Sequence, residues 1–342
     1  MNEDVIRFKN VTDILADRDS VMLSMKNRVP KEYLLETDKL LREKKKLSKK
    51  VEQYYEDKLS LRVGKYEKLN EFFERMESTC ETDENGEIIF EFYKLGITAI
   101  DDEFFHGKGV FQSSFVVIGA ESGTGKTSLC LGIISNLAFQ DVRCQFYSFE
   151  MGDRQFFNEV SPQAKKKLKA VSESIYADNL TLDFHSRDIN DLALSIQMRA
   201  EDGVKVFVID SYLSIYTGGS DRDKHKQLTD MLATMKKELG ILIILITQIS
   251  VANQFNNIDE FKDGGELKYE SDVSIFIKFL ENEKQSTRRH IICGKNRIFE
   301  DRANIEIVTD YDRETHKIVK VCDFSDYKGL DSKGNKLKDL KF

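Results

Sequence analysis

Gly125-Lys126-Thr127, at the end of a small-residue loop, is the first place in this sequence where residue type and spacing specify chemistry. The loop Ala120-Glu121-Ser122-Gly123-Thr124-Gly125 follows the apolar run Phe115-Val116-Val117-Ile118 and opens into the helix-compatible segment Leu129 to Leu137. Strand, loop and helix in that order suit a phosphate cradle. Loop N–H groups surround the anion, the lysine reaches the β and γ oxygens, and the threonine hydroxyl ligates Mg²⁺. Gly123 and Gly125 let the backbone approach the phosphates without a Cβ in the way. Ala120 stands where the strict pattern GxxxxGK[ST] has its first glycine. Ala120, Glu121, Ser122, Gly123, Thr124, Gly125, Lys126, Thr127 and Ser128 are therefore the candidate nucleotide-binding set, with ATP and Mg²⁺ as the implied ligands.

Hydrolysis needs more than a cradle: a carboxylate near the metal, another to orient water, and a group that reports the γ-phosphate. Open α/β sheets place such groups at strand ends. Val206-Phe207-Val208-Ile209-Asp210 is an apolar strand ending in an acid, the form of a Walker B segment, so Asp210 joins Thr127 as a candidate metal residue. Seen alone, it also reads as a strand ending in a turn-forming Asp. Tyr147-Ser148-Phe149-Glu150 ends another strand in a glutamate placed to polarise water; its plainer reading is an acid at a helix N-terminus. Ile246-Thr247-Gln248 ends a third in an amide able to bond the γ-phosphate.

Taken in order, GAESGTGKT, SFEM, VFVID, ITQ and the later Gly294-Lys295-Asn296-Arg297 resemble the motif series of the DnaB-type replicative helicases, hexameric members of the RecA-like ATPase group. The lead-in Leu95 to Asp101, with Gly107 and Gly109 after it, is similar to that family's as well, and the resemblance covers about residues 93–310. It implies that Lys126 and Thr127 bind phosphate and Mg²⁺, that Asp210 supports the metal, and that Glu150 activates water. It further implies that Gln248 couples the γ-phosphate to a DNA-contacting loop, and that Lys295 and Arg297 reach the neighbouring subunit's nucleotide as trans-acting fingers. Three features depart from the family pattern, the first being that the region before the ATPase segment is too short for the family's full primase-interacting helical domain. Asp210-Ser211-Tyr212 is closer to the recombinase form, and the loop 250–268 carries Asp259, Glu260, Asp263 and Glu266 against Lys262 and Lys268. Phosphate contacts need cations or backbone donors, so that loop binds through its backbone or does not bind DNA.

The elements that must position these groups are visible as patterning. Apolar strand segments are expected at 115–119, 145–149, 180–184, 205–209, 242–247, 273–279 and 290–293, with helices near 127–139, 188–201 and 224–239 between them. That alternation predicts an α/β fold whose mostly parallel central sheet is covered on both faces. Later strands near 289–294, 302–309 and 317–323 are expected as antiparallel hairpins at one edge. Residues 31–77 have Leu, Val, Tyr and Phe at helical spacing and read as one long helix or a helical hairpin. Its lysines at 44–46 and 49–50 are a solvated face or a nucleic-acid contact. The domains expected are a helical region and linker over 1–88, a RecA-like ATPase domain over 89–325 and a charged tail over 326–342.

Composition frames the function without choosing it. A net charge of −7 argues against a uniformly basic nucleic-acid binder, so any nucleic-acid path is local. Five cysteines without a C-x-x-C pair point to a reducing compartment rather than a disulfide frame or zinc site. No signal pattern or membrane-length apolar run is present, and a cytoplasmic protein is expected. The combined reading is an ATP-dependent, ring-forming helicase that translocates on single-stranded DNA and unwinds duplex in replication. A homo-oligomer, expected as a hexameric ring, with a primase or a helicase loader as partner, goes with it. A RecA/RadA-like recombination ATPase and an ATP-switched assembly or loading factor without unwinding are the alternatives.

Overall fold

A strand buried on both faces needs apolar residues at every position rather than at alternate ones, and the runs FVVIGA, VFVID and LIILIT meet that requirement. A computed structural model of the chain describes residues 90–216, 221–249, 261, 265–280, 285–312 and 317–327. The helical region expected over 31–77, most of the loop 250–268 and residues 328–342 of the charged tail lie outside the described residues.

In chain order the elements are β1 (Phe92–Tyr93), α1 (Thr98–Phe105), β2 (Val110–Phe111), β3 (Phe115–Ala120), α2 (Lys126–Phe139), β4 (Cys144–Ser148), α3 (Asp153–Glu159) and α4 (Pro162–Ser172). There follow β5 (Leu180–Asp183), α5 (Ile189–Glu201), β6 (Val206–Asp210), α6 (Asp221–Leu239), β7 (Leu242–Gln248) and α7 (Gly265–Glu270). The last strands are β8 (Val273–Lys278), β9 (Arg289–Asn296), β10 (Ile305–Asp312) and β11 (Lys317–Asp323).

One nine-stranded sheet runs β11-β10-β9-β8-β3-β7-β6-β4-β5. Every pairing from β5 to β8 is parallel, and every pairing from β8 to β11 is antiparallel. Successive side chains of a strand point to opposite faces. Accordingly Val116 and Ile118 join the core under α2, while Phe115 and Val117 join the core under α5 and α6. The sheet is thus the shared wall of two apolar cores, as the unbroken apolar runs require.

Most strand ends fall within two residues of the expectation, and the strand expected over 302–309 lies three residues later. The strand expected from 302 begins instead at Ile305, because Glu300–Arg302 forms a 3₁₀ turn and Asn304 takes a positive φ of 61°. Asn296 fixes that turn: its side-chain oxygen accepts from the Ile298 and Phe299 N–H groups, and its amide donates to Phe104 O at 2.8 Å. The lead-in is fixed similarly. Asp101 is buried and accepts from the Leu95 and Gly96 N–H groups, while Asn136 on α2 donates to the Leu95 and Gly96 carbonyls.

Candidate functional site

Four adjacent strands deliver the candidate residues to one edge of the sheet. Ala120 at the end of β3 pairs with Gln248 at the end of β7; Ile246 of β7 pairs with Asp210 at the end of β6; and Asp210 pairs with Ser148 at the end of β4, two residues before Glu150. With strands about 4.8 Å apart, the row spans about 15 Å, comparable to a nucleoside triphosphate with its metal. Two backbone bonds draw the Glu150 segment onto Asp210, whose carbonyl accepts from Phe149 N at 2.6 Å and Glu150 N at 3.3 Å.

The loop from β3 to α2 has the geometry of an anion cradle. Gly123 (φ 82°) and Gly125 (φ 93°) occupy the left-handed region, where a Cβ would be strained. Ala120 is a buried strand residue outside that region, so the missing glycine there costs the loop nothing. Gly125 is the N-cap of α2, and no side chain among the described residues caps this end. The first-turn N–H groups and the positive end of the helix dipole therefore face the loop, where an anion is stabilised. Lys126 is almost wholly buried, with 7% of its surface exposed.

Thr127 donates its hydroxyl to Asp210 Oδ2 at 2.6 Å, while the other carboxylate oxygen, Oδ1, is buried with no hydrogen-bond partner among the described residues. Burial pushes the Asp210 carboxyl up to about 6; the Thr127 hydrogen bond opposes that rise, the Glu150 charge adds to it, and Lys126 opposes it. A buried oxygen without a partner is costly, and a cation bound there would relieve it. The donor set, a carboxylate and a hydroxyl, is all oxygen and suits Mg²⁺, which keeps waters and substrate phosphates as its other ligands. Among the described residues no cluster of three or more His, Cys, Asp or Glu side chains forms a cage for a metal by itself, which also fits an ion shared with a nucleotide.

A cleft of about 250 Å³ opens over this loop, lined by Gly123, Lys126, Thr127, Glu150, Gln155 and Glu159 among others. Glu150 is exposed and faces the cleft. Ser128 also borders it, with its hydroxyl donated to Ser161, which caps α4. Gln155 and Glu159 were not singled out in the sequence. Their signal was the polar run after SFEM, which α3 turns into one wall, with Gln155 bonded to Glu159 at 3.0 Å. Gln248 stands half-exposed beside Ala120, and the next residue, Ile249, donates to Ala120 O.

Lys295 and Arg297 are placed elsewhere. β9 runs antiparallel to β8, with Lys295 opposite Ser274 and Val273 in register with Val116. Both basic residues therefore sit at the sheet edge opposite the phosphate loop, and neither reaches the cleft of its own chain. Lys295 Nζ donates to Lys268 O, Tyr269 O and Ser271 O at 2.5–2.8 Å, capping the C-terminal end of α7. Burial, then the Arg297 charge, pulls its ammonium down to about 8. The Arg297 side chain is 55% exposed; it donates to Tyr269 O at 2.9 Å and lies 4.0 Å from Asp272. Asp272, also missed in the sequence, organises this edge: it accepts from Phe115 N and pairs with the buried Lys236 of α6.

Comparison with known proteins locates this arrangement. The KaiC ATPase family matches residues 93–309. The chain is 27% identical over 244 residues to a probable plasmid replicative DNA helicase of Chlamydia trachomatis serovar L2, covering 63% of this chain and 52% of that protein. It is 22% identical over 262 residues to the replicative DNA helicase DnaB of Treponema pallidum, covering 69% and 58% respectively. The chain thus spans little more than half the length of these relatives. A solved structure of a DnaB-like replicative helicase, described with its interactions with primase, shares the fold at a TM-score of 0.57 and 17% identity, covering 84% of this chain and 78% of that one. The resemblance to DnaB-type helicases read from the motifs, and the RecA-like core with it, agree with these matches.

Proposed function

The chain belongs to the KaiC ATPase family, and from that premise we propose that it is an ATP-hydrolysing DNA helicase that works as a ring, in the manner of the replicative helicases it resembles. The observation that carries the proposal is the split between the two edges of the sheet. One edge gathers the phosphate loop, Thr127–Asp210 and Glu150; the other presents Arg297, too far away to act on its own nucleotide. A site divided in this way is completed by a second copy.

In the proposed reaction, Lys126 and the first-turn N–H groups of α2 hold the β- and γ-phosphates of ATP. Thr127 and Asp210 hold Mg²⁺, which when bound neutralises charge on the transferring phosphoryl. Glu150, at the open side of the cleft, orients the attacking water. Arg297 of the adjacent copy supplies positive charge from outside. Lys295, with its donors on α7, holds the platform from which Arg297 projects. Gln248, beside the loop's first residue, senses the γ-phosphate and passes its presence to the segment that follows. A hexameric ring on single-stranded DNA, acting in the cytoplasm with a primase or a loader as partner, completes the proposal.

The test is unwinding of a forked DNA duplex with ATP and Mg²⁺, with Arg297→Ala chain mixed into wild type at increasing fraction. The proposal expects strand separation, and an activity loss steeper than the mutant fraction. No unwinding would remove the helicase reading, and loss in simple proportion would remove the trans role of Arg297.

A further inference from the structure

The nucleotide loop is gripped by a side chain that no motif singles out. Arg289, the first residue of β9, donates Nε–H to Thr124 O at 3.1 Å, and Thr124 lies inside the loop. Its guanidinium sits over the Phe279 ring at 4.7 Å, and Nη1 donates to Ser286 O and Arg288 O at 2.8 and 2.6 Å. The Phe279 ring edge in turn lies 3.9 Å from where a Cβ on Gly123 would stand. The base of the side chain is equally fixed, since Arg289 pairs with Thr309 in the sheet. Stacking on a ring and donating to three carbonyls defines both the plane and the direction of the guanidinium fork, which a lysine ammonium cannot reproduce.

We infer that Arg289 is a positioning residue for nucleotide binding, one that holds the Thr124–Gly125 peptide in the orientation the phosphate needs. A trans peptide is planar, with its C=O and N–H pointing to opposite sides. Fixing the Thr124 carbonyl on Arg289, outside the loop, therefore directs the Gly125 N–H to the other side, into the cradle. The grip matters at this peptide because Gly125, lacking a Cβ and at φ 93°, has little of its own to hold its orientation. Glu121 N, which donates to Ile277 O at 3.2 Å, ties the start of the same loop to β8. The loop thus hangs from β8 and β9 at both ends, and Arg289 sets its dipoles before the nucleotide arrives, so the ordering cost is not charged to binding.

The inference rests on the reading that this loop binds nucleotide, and the test separates the two. The full chain carrying Arg289→Ala, Arg289→Lys, Phe279→Leu or Lys126→Ala is titrated with a fluorescent ATP analogue in Mg²⁺, well below the unfolding temperature of the nucleotide-free protein. Arg289→Ala is expected to weaken binding about ten- to a hundredfold, the scale of a lost charge-assisted hydrogen bond. Arg289→Lys and Phe279→Leu are expected to lose several-fold, each keeping the wild-type melting temperature without nucleotide. In hydrolysis the loss appears mainly in KM. If Lys126→Ala ceases to bind while all three other variants bind as wild type, the positioning role is overturned and the nucleotide loop stands. If Lys126→Ala binds as wild type, the loop reading falls and the inference with it.

Discussion

In the proposed reaction Asp210 would set function against stability within one residue. Its carboxylate is buried with one oxygen unpartnered among the described residues, and its folded-state pKa of about 6 lies above the usual carboxylate value. The folded chain therefore takes up a proton more readily than the unfolded one. The protonated group's contribution to stability is full below about pH 4 and is lost as pH rises through about 6, leaving a cost on the order of 2–3 kcal/mol at neutral pH. Asp210→Asn, which keeps an acceptor for Thr127, should accordingly raise the stability of the nucleotide- and metal-free protein by up to about that amount near pH 8. The gain should shrink toward zero near pH 4, and hydrolysis should be lost throughout; denaturant titrations at the two pH values read the effect. A gain independent of pH would contradict the account. Glu150 is the converse, an exposed acid whose carboxylate makes no hydrogen bond or ion pair among the described residues. Glu150→Gln should leave ATP affinity within about twofold and lower turnover by about 10²–10⁴-fold, whereas lost affinity would make Glu150 a binding residue instead.

Among the elements, β9 joins two places that the sequence lists apart. It begins at Arg289, on the phosphate loop, and ends at Asn296, before Arg297 at the far edge. That edge depends on Asp272 and the buried Lys236. Asp272→Ala leaves the ammonium uncompensated and should cost about 3–5 kcal/mol in urea unfolding; a loss under about 1 kcal/mol would show that the pair is dispensable. The strands and the site edge were legible because parallel strands buried on both faces are written as near-continuous apolar runs; Asp210 and Gln248 each end one, and Glu150 lies two residues beyond the end of β4. The GKNR segment was legible only as a string. Its glycine admits the Phe276 ring, since a Cβ on Gly294 would lie 2.7 Å from it. Its lysine caps α7, its asparagine shapes the turn to β10, and its arginine alone is half-exposed. Asp272, Arg289, Gln155 and Glu159 were not legible. Their roles come from partners 35 or more residues away (Lys236, Thr124) or from a short polar helix without apolar periodicity.

For the whole molecule, the central claim is that an ATP site divided between copies is coupled to a nucleic-acid strand. On the proposed reading, a chain of net charge −7 would meet DNA through a local path, and among the described residues no helix is long and apolar enough to cross a membrane. Strand binding that neutralises phosphates weakens steeply with salt, so the coupling is best read at low ionic strength and at protein concentrations that favour assembly. The most direct measurement is steady-state ATP hydrolysis with and without single-stranded DNA under those conditions, with Lys126→Ala as the blank. The account predicts a basal rate that single-stranded DNA stimulates strongly and that Lys126→Ala abolishes. A rate that depends on Lys126 and does not respond to DNA would contradict the helicase claim and leave an ATP-switched assembly factor in its place.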